Sequence, residues 1–183
     1  MSNHVFTADG VTKVFPGVLA LDEVNFSLSS GSIHALLGEN GAGKSTLIKI
    51  MTGVHRLDGG SMTIDGQPFS PHSTRDAISS GVGVVHQERN LIPQFSIAEN
   101  IFLERLSASP LQRIDYPKLY QDAQKWLDLL EIDARPETQV DKLNVARMQL
   151  VEIAKALSLD TRILLLDEPT ASLTQHETET LFG

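Results

Sequence analysis

The residues with the clearest chemistry are Gly38-Glu39-Asn40-Gly41-Ala42-Gly43-Lys44-Ser45, which fit the pattern G-x-x-x-x-G-K-[ST]. Glycines let a loop fold so that successive backbone N–H groups point inward at phosphate oxygens. A helix opening at Lys44 adds the positive end of its dipole. The Lys44 ammonium suits β- and γ-phosphates, and the Ser45 hydroxyl suits Mg²⁺. A plain glycine-rich turn with a surface lysine is the alternative. A second pair, Asp167-Glu168, closes an apolar run. In an open α/β sheet the carboxyl ends of strands face the ligand crevice. There one acid can hold Mg²⁺ through water and another can orient the attacking water. A solvated acidic turn is the competing reading. Gln87 follows the run Val82–Val85 and could sense the metal or a γ-phosphate, or simply lie on the surface. His86 and His176 are titratable, but His176 falls in the first turn of a capped helix and reads as surface. Phe15 is one of seven Phe, and on its own it reads as core packing.

These groups need elements to hold them. Val5 to Ala8, Val24 to Leu28 and Ser61 to Ile64 alternate apolar and polar, as half-buried strands do. Ile33 to Leu37, Val82 to Val85 and Arg162 to Leu166 read as buried strands. From Lys44 the period changes: Leu47, Ile50, Met51 and Val54 share one helical face, and Gly53 stops the helix. Ser73 to Ser80 reads as a short helix. From about Ser96 to Leu159 the pattern is helical, with apolar faces at Leu119, Ala123, Trp126, Leu127 and Leu130 and at Leu150, Val151, Ala154 and Leu157. Thr174-Gln175-His176-Glu177 is a capping box opening a last helix. Buried strands alternating with helices predict an α/β sheet with a helical subdomain inserted in the middle.

Composition narrows the class. The 183 residues include 15 Lys+Arg and 23 Asp+Glu, for a net charge of −8, with 41% apolar and 21% charged residues. That describes one ordinary domain with room for a small subdomain. The acidic balance argues against nucleic acid as a partner. With no cysteine there are no disulfides, thiolate metal sites or Cys nucleophiles, which fits a reducing compartment. The longest aliphatic run, Ile163 to Leu166, is far short of the ~20 residues of a membrane helix. Met1-Ser2-Asn3-His4 has no basic or apolar signal region. A cytosolic chain is expected, unless something else holds it at a membrane.

In this order the motifs resemble the ATP-binding cassette (ABC) ATPase family. The matching pieces are Phe15-Pro16-Gly17-Val18, His34 to Leu37 leading into the glycine-rich loop, Val85-His86-Gln87-Glu88, Ala98-Glu99-Asn100-Ile101-Phe102, Val151 to Leu157, and Asp167-Glu168-Pro169-Thr170-Ala171-Ser172-Leu173. The wording is most similar to the first, N-terminal cassette of ATP-binding subunits of bacterial sugar importers, the ribose, xylose and galactose type. The resemblance implies a P-loop NTPase core with a parallel sheet, an N-terminal antiparallel β subdomain and an inserted α-helical subdomain. Residues of about 1–87 and 160–183 would form the core and β subdomain, and about 88–159 the helical subdomain and signature region. ATP and Mg²⁺ would be the cofactors, with Gly38 to Thr46 around the phosphates and Phe15 against adenine. Ser45, Gln87 and Asp167 would lie on the metal side, and Glu168 would polarise the attacking water.

The resemblance also implies partners. These are membrane permease subunits met through the Gln87 loop and helical subdomain, a second cassette bound head to tail, and indirectly a periplasmic sugar-binding protein. The expected place is the cytoplasmic face of the cell membrane. Two features depart from the family pattern. The signature loop, usually Leu-Ser-Gly-Gly-Gln, reads Leu143-Asn144-Val145-Ala146-Arg147, and its longer side chain and added methyl would crowd a phosphate. The family's switch histidine and last strands lie beyond a further helix. The residues after Glu168 are too few for a helix of ~11 plus a strand of ~5, so these are expected to be missing. The missing strand would fall between Ile33 to Leu37 and Ile163 to Leu166 and leave both with open edges. A nucleotide-binding fragment without turnover, and a soluble DNA-maintenance cassette, are the alternatives to a transport ATPase. The second is disfavoured by the short, Cys-free, acidic stretch from Glu88 to Lys142.

Overall fold

β1 (His4–Phe15) and β2 (Val18–Ser29) are antiparallel neighbours joined at Pro16-Gly17. Phe6 and Ala8 of β1 are buried, and the next buried residue is Val11 rather than residue 10. A register shift between Ala8 and Val11 inserts the extra residue, with Gly10 at φ +61°. The Gly10 amide donates to the Asn25 side chain at 2.9 Å. Such a bulge moves the inward face by one position and raises the local twist. β3 (Gly59–Ile64) pairs with the other edge of β1, and β4 (Gln67–Pro68) pairs with β3, giving the antiparallel order β2-β1-β3-β4. The structure is a computed structural model that describes residues 4–39, 41–85, 90–107, 113–166 and 178–179.

This sheet belongs to the first of two units, Met1–Val82 and Gly83–Gly183. Its core gathers Phe6, Leu21, Met62, Ile64 and Phe69 with Leu47, Ile50 and Met51 from α1 (Lys44–Met51). The Phe6 ring meets Phe26 and Phe69 at centroid distances of 6.1 and 6.3 Å. The helix face read from Leu47, Ile50 and Met51 is therefore buried, whereas Val54, past the helix end, is exposed. α2 (Thr74–Ser79) is capped by Ser73, whose hydroxyl accepts from the Asp76 amide at 3.2 Å.

One expected strand does not form. Residues 33–37 belong to neither sheet, and Ile33 and Leu37 are 67% and 90% exposed. An apolar run reports which side chains favour burial. A strand also needs a partner for its backbone N–H and C=O groups, and no described strand pairs with this run. The one ring contact in the segment is His34 edge-on to Phe26 at 5.8 Å.

The second unit is built on helices. β5 (Val82–Val85), whose last three residues open this unit, pairs with β6 (Ile163–Leu166) in a two-stranded sheet. α3 (Ile97–Ile101), α4 (Leu103–Ser107), α5 (Tyr116–Leu129) and α6 (Val145–Leu157) follow β5. Ile97, Ala98 and Ile101 of α3 pack with Ala123 and Leu127 of α5 and Leu150, Val151, Ile153 and Ala154 of α6 in one buried cluster. α3 opens with a capping box: the Ser96 hydroxyl accepts from the Glu99 amide, and Glu99 accepts from the Ser96 amide at 2.8 Å. The Ser96 hydroxyl also donates to Glu99 at 2.7 Å, and Tyr116 adds a third donor at 3.2 Å. Burial pushes the Glu99 carboxyl up, but the bonds from Ser96 and Tyr116 outweigh it and hold the group below its ordinary value.

Asn100 has no exposed surface, and it ties the loop before α3 to the helix. Its Oδ1 accepts from the Ile92 amide at 2.7 Å, and its Nδ2 donates to the carbonyls of Ile92 and Ser96, both at 3.0 Å. Truncation strands these partly buried groups at about 1–3 kcal/mol each. Asn100→Ala is therefore expected to lose about 2–3 kcal/mol in urea unfolding. A loss under about 0.5 kcal/mol would show that the loop re-satisfies itself.

Candidate functional site

The glycine-rich loop leads directly into α1, and its backbone sets the geometry. Gly41 and Gly43 both sit at φ +86°, in the left-handed region that glycine tolerates and other residues resist. Gly43 is also the closest approach of the loop to the sheet. A Cβ there would lie 2.5 Å from the Ala20 carbonyl oxygen and 2.7 Å from a Leu21 methyl, whereas at Gly41 it would meet nothing within 4 Å. The Ala42 amide donates to the Glu39 carbonyl at 3.1 Å, closing the curl. The Lys44 ammonium folds back over it, donating to the carbonyls of Gly38 at 2.6 Å and Glu39 at 2.9 Å. An ammonium has three donors, and these carbonyls take two.

The α1 N-terminus differs from its neighbours. α2, α3, α5 and α6 are each capped by a side chain, from Ser73, Ser96, Asp115 and Asn144. The residue at the head of α1 is Gly43, with no side-chain cap and no acid in the first turn. The first amides of a helix have no intrahelical acceptor. Here they sit at the positive dipole end beside Lys44, an arrangement suited to an oxyanion. Ser45, in the first turn, is exposed.

Phe15 does not join the core. It is half-buried at the last position of β1, between exposed Val14 and the turn. Its ring meets the His55 ring edge-on, with centroids 5.3 Å apart and planes at 70°, and the Lys13 ammonium lies 5.4 Å from its centroid. Lys13 is paired with Asp58 at 3.0 Å, and the other Asp58 oxygen accepts from the Val14 amide at 2.8 Å. The Val14 amide and then the Lys13 ammonium hold the Asp58 carboxyl below its ordinary value.

In the second unit, Leu143 is buried in the helical core and Val145 is exposed. Asn144 turns its side chain onto α6, accepting from the Arg147 amide at 2.8 Å, and Arg147 reaches Asp133 at 3.0 Å. The N-cap role of Asn144 was readable from an Asn placed just before an apolar helical period. Asn and Ser cap about equally well. The longer side chain is therefore directed onto its own helix. Asn40, His86, Gln87, Asp167, Glu168 and His176, with the capped helix expected from Thr174, lie outside the described residues.

Among the described residues no cluster of three His, Cys, Asp or Glu could hold a metal. The exposed Ser45 hydroxyl is a hard oxygen donor of the kind Mg²⁺ takes. Mg²⁺ usually shares one or two protein oxygens with substrate phosphates rather than filling a protein cage. The Ser45 hydroxyl is therefore a donor of the kind that ion takes.

The ABC transporter family model matches residues 21–171. The chain belongs to this family. It is 49% identical over 178 residues to the ribose import ATP-binding protein RbsA of Rhodopirellula baltica, covering 97% of this chain and 35% of that protein. It is 46% identical over 173 residues to the galactose/methyl galactoside import ATP-binding protein MglA of Salmonella typhimurium, covering 94% of this chain and 34% of that one. The chain thus spans about a third of the length of these curated relatives. Among solved structures, a nucleotide-free ATP-binding cassette from an ABC transporter superposes with a TM-score of 0.82 at 22% identity, covering 97% of this chain and 74% of that one. The cassette fold is common to both. No helix among the described residues is long and apolar enough to cross a membrane.

The loop geometry separates two glycines of the ABC pattern. Gly41→Ala should cost about 1–2 kcal/mol, the left-handed strain alone. Gly43→Ala should add about 1–3 kcal/mol more, because the atom it meets is backbone. Chemical denaturation of both variants checks this, and equal losses would show that the close approach relaxes freely.

Proposed function

We propose that this chain is the ATP-binding and ATP-hydrolysing part of an ABC importer that moves a carbohydrate. The observation that carries the reading is the head of α1, uncapped by any side chain, ringed by the glycine loop and covered by Lys44. A triphosphate placed there receives amides from Gly38 to Thr46 and the third Lys44 donor. Phe15 offers a flat face to adenine. The names of the relatives, ribose import and galactose/methyl galactoside import, support the cargo class.

Chemistry then follows from the acids. Mg²⁺, when bound through Ser45, Gln87 and Asp167, supplies charge neutralisation on the β- and γ-phosphates. Glu168 polarises the attacking water and takes its proton, and Gln87 links the phosphate end to the permease. In this reading a second cassette binds head to tail, and its 143–147 segment completes each site. The permease meets the Gln87 loop and the helical unit at the cytoplasmic face, and a periplasmic sugar-binding protein acts through the permease.

Lys44→Ala removes a charged contact worth about 1.5–3 kcal/mol. Calorimetric titration should therefore show an ATP Kd raised about 10- to 150-fold. Unchanged affinity would overturn the nucleotide reading. Glu168→Gln keeps the shape but loses the anion, so it should bind ATP normally and lose about 10²–10⁴ in turnover in the assembled transporter. Wild-type kcat in that variant would place the base elsewhere.

A further inference from the structure

The ring of Phe15 has few partners to hold it, the Lys13 ammonium 5.4 Å from its centroid being one. It ends its strand, its neighbours Val14 and Val18 are exposed, and it stays half-buried itself. A side chain in that setting samples several rotamers, and a stacking platform that must be ordered on binding costs affinity. His55 is placed to prevent this. Its ring meets Phe15 edge-on at 5.3 Å, a geometry that fixes the tilt of an aromatic pair. Its own position is not free either. The Val54 and His55 amides donate to the Lys49 carbonyl at 2.8 and 3.0 Å, which ties His55 to the last turn of α1. Asp58, a few residues on, grips the same strand end from Lys13 and Val14.

α1 therefore carries two things. The glycine loop opens it at Lys44, and His55 hangs from its far end. Eight residues of helix at about 1.5 Å each make a rod of about 12 Å between the loop and the helix end.

We propose that His55 is a positioning residue for the base of the nucleotide: it fixes the Phe15 ring relative to α1, so that platform and phosphate loop are indexed to one helix. This deepens the ATP reading above and rests on it. Ring size and flatness, not charge, are what His55 supplies, so another aromatic side chain will serve.

The test compares wild type, His55→Ala, His55→Phe and Phe15→Ala in the full chain with Mg²⁺. The probes are ATP, inorganic tripolyphosphate, and the triphosphate of 2-aminopurine riboside, whose emission falls when it stacks on an aromatic ring. An edge contact of about 0.5–1.5 kcal/mol predicts that His55→Ala weakens ATP about 2- to 12-fold. It should leave tripolyphosphate unchanged and reduce the quenching of the fluorescent base. His55→Phe should restore both within twofold, and Phe15→Ala sets the maximal loss. Unchanged ATP affinity and quenching in His55→Ala overturns the proposal. So does an equal loss for ATP and tripolyphosphate, which marks a structural effect, or failure of His55→Phe to rescue. Where tripolyphosphate binds too weakly to measure, the quenching decides. If wild type binds neither ATP nor tripolyphosphate, the nucleotide reading itself fails, an outcome distinct from these. Should His55→Ala unfold at assay temperature, His55→Leu replaces it with the same outcomes.

Discussion

At Gly43 the chain leaves an open loop and enters a helix while passing against the backbone of β2. The residue takes a left-handed φ of +86°, and any Cβ would strike the Ala20 carbonyl. This single close approach organises the first unit. It brings the start of α1 down onto the sheet, so that Leu47, Ile50 and Met51 reach the core. It also leaves the first amides of the helix without a side-chain cap. A larger residue at Gly43 could be accommodated only by lifting α1 away from β2. That would uncover apolar surface and displace the Lys44 ammonium from the curl together.

The second unit solves the opposite problem at its helix ends. α3, α5 and α6 have their early amides satisfied by Ser96, Asp115 and Asn144. A cap that bonds the third amide of a helix removes a donor that an anion could otherwise use. Asn144 takes the Arg147 amide in this way. The 143–147 segment can therefore present only its remaining amides and the flanking side chains to a ligand. The head of α1 keeps its full set. The sequence difference between a glycine and an asparagine at the same structural position is thus a difference in how many N–H groups each end has to offer.

Much of this was legible in the residues. The glycine-loop pattern located α1 and its start, because spacing and residue type there are dictated by backbone sterics. The faces of α1, α5 and α6 followed from the 3.6-residue period. What escaped reading depended on partners distant in sequence. Residues 33–37 carry the apolar content of a buried strand, but strand formation is decided by a neighbouring strand, which composition does not report. The bulge at Gly10 was hidden because alternation persists on both sides of it, and only the pairing with β2 shows the shift. His55 lies in no motif. Its significance comes from a contact with a residue forty positions earlier.

That long-range contact bears on how the loop between α1 and β3 should be understood. Residues 52–58 could be taken as a connector. Yet the Val54 and His55 amides bond back to Lys49, the Asp58 amide donates to the Thr12 carbonyl at 2.8 Å, and the Asp58 carboxylate holds both Lys13 and the Val14 amide. Exposed ion pairs contribute little to stability by themselves. Here the Lys13 pair is joined to two backbone bonds on one strand end, and the value of the set lies in fixing geometry. The connector is a brace between the end of a helix and the end of β1, and the aromatic ring it steadies is the one residue of that strand end with a flat face to offer. The bonding of this loop to both ends is thus best explained by what it positions.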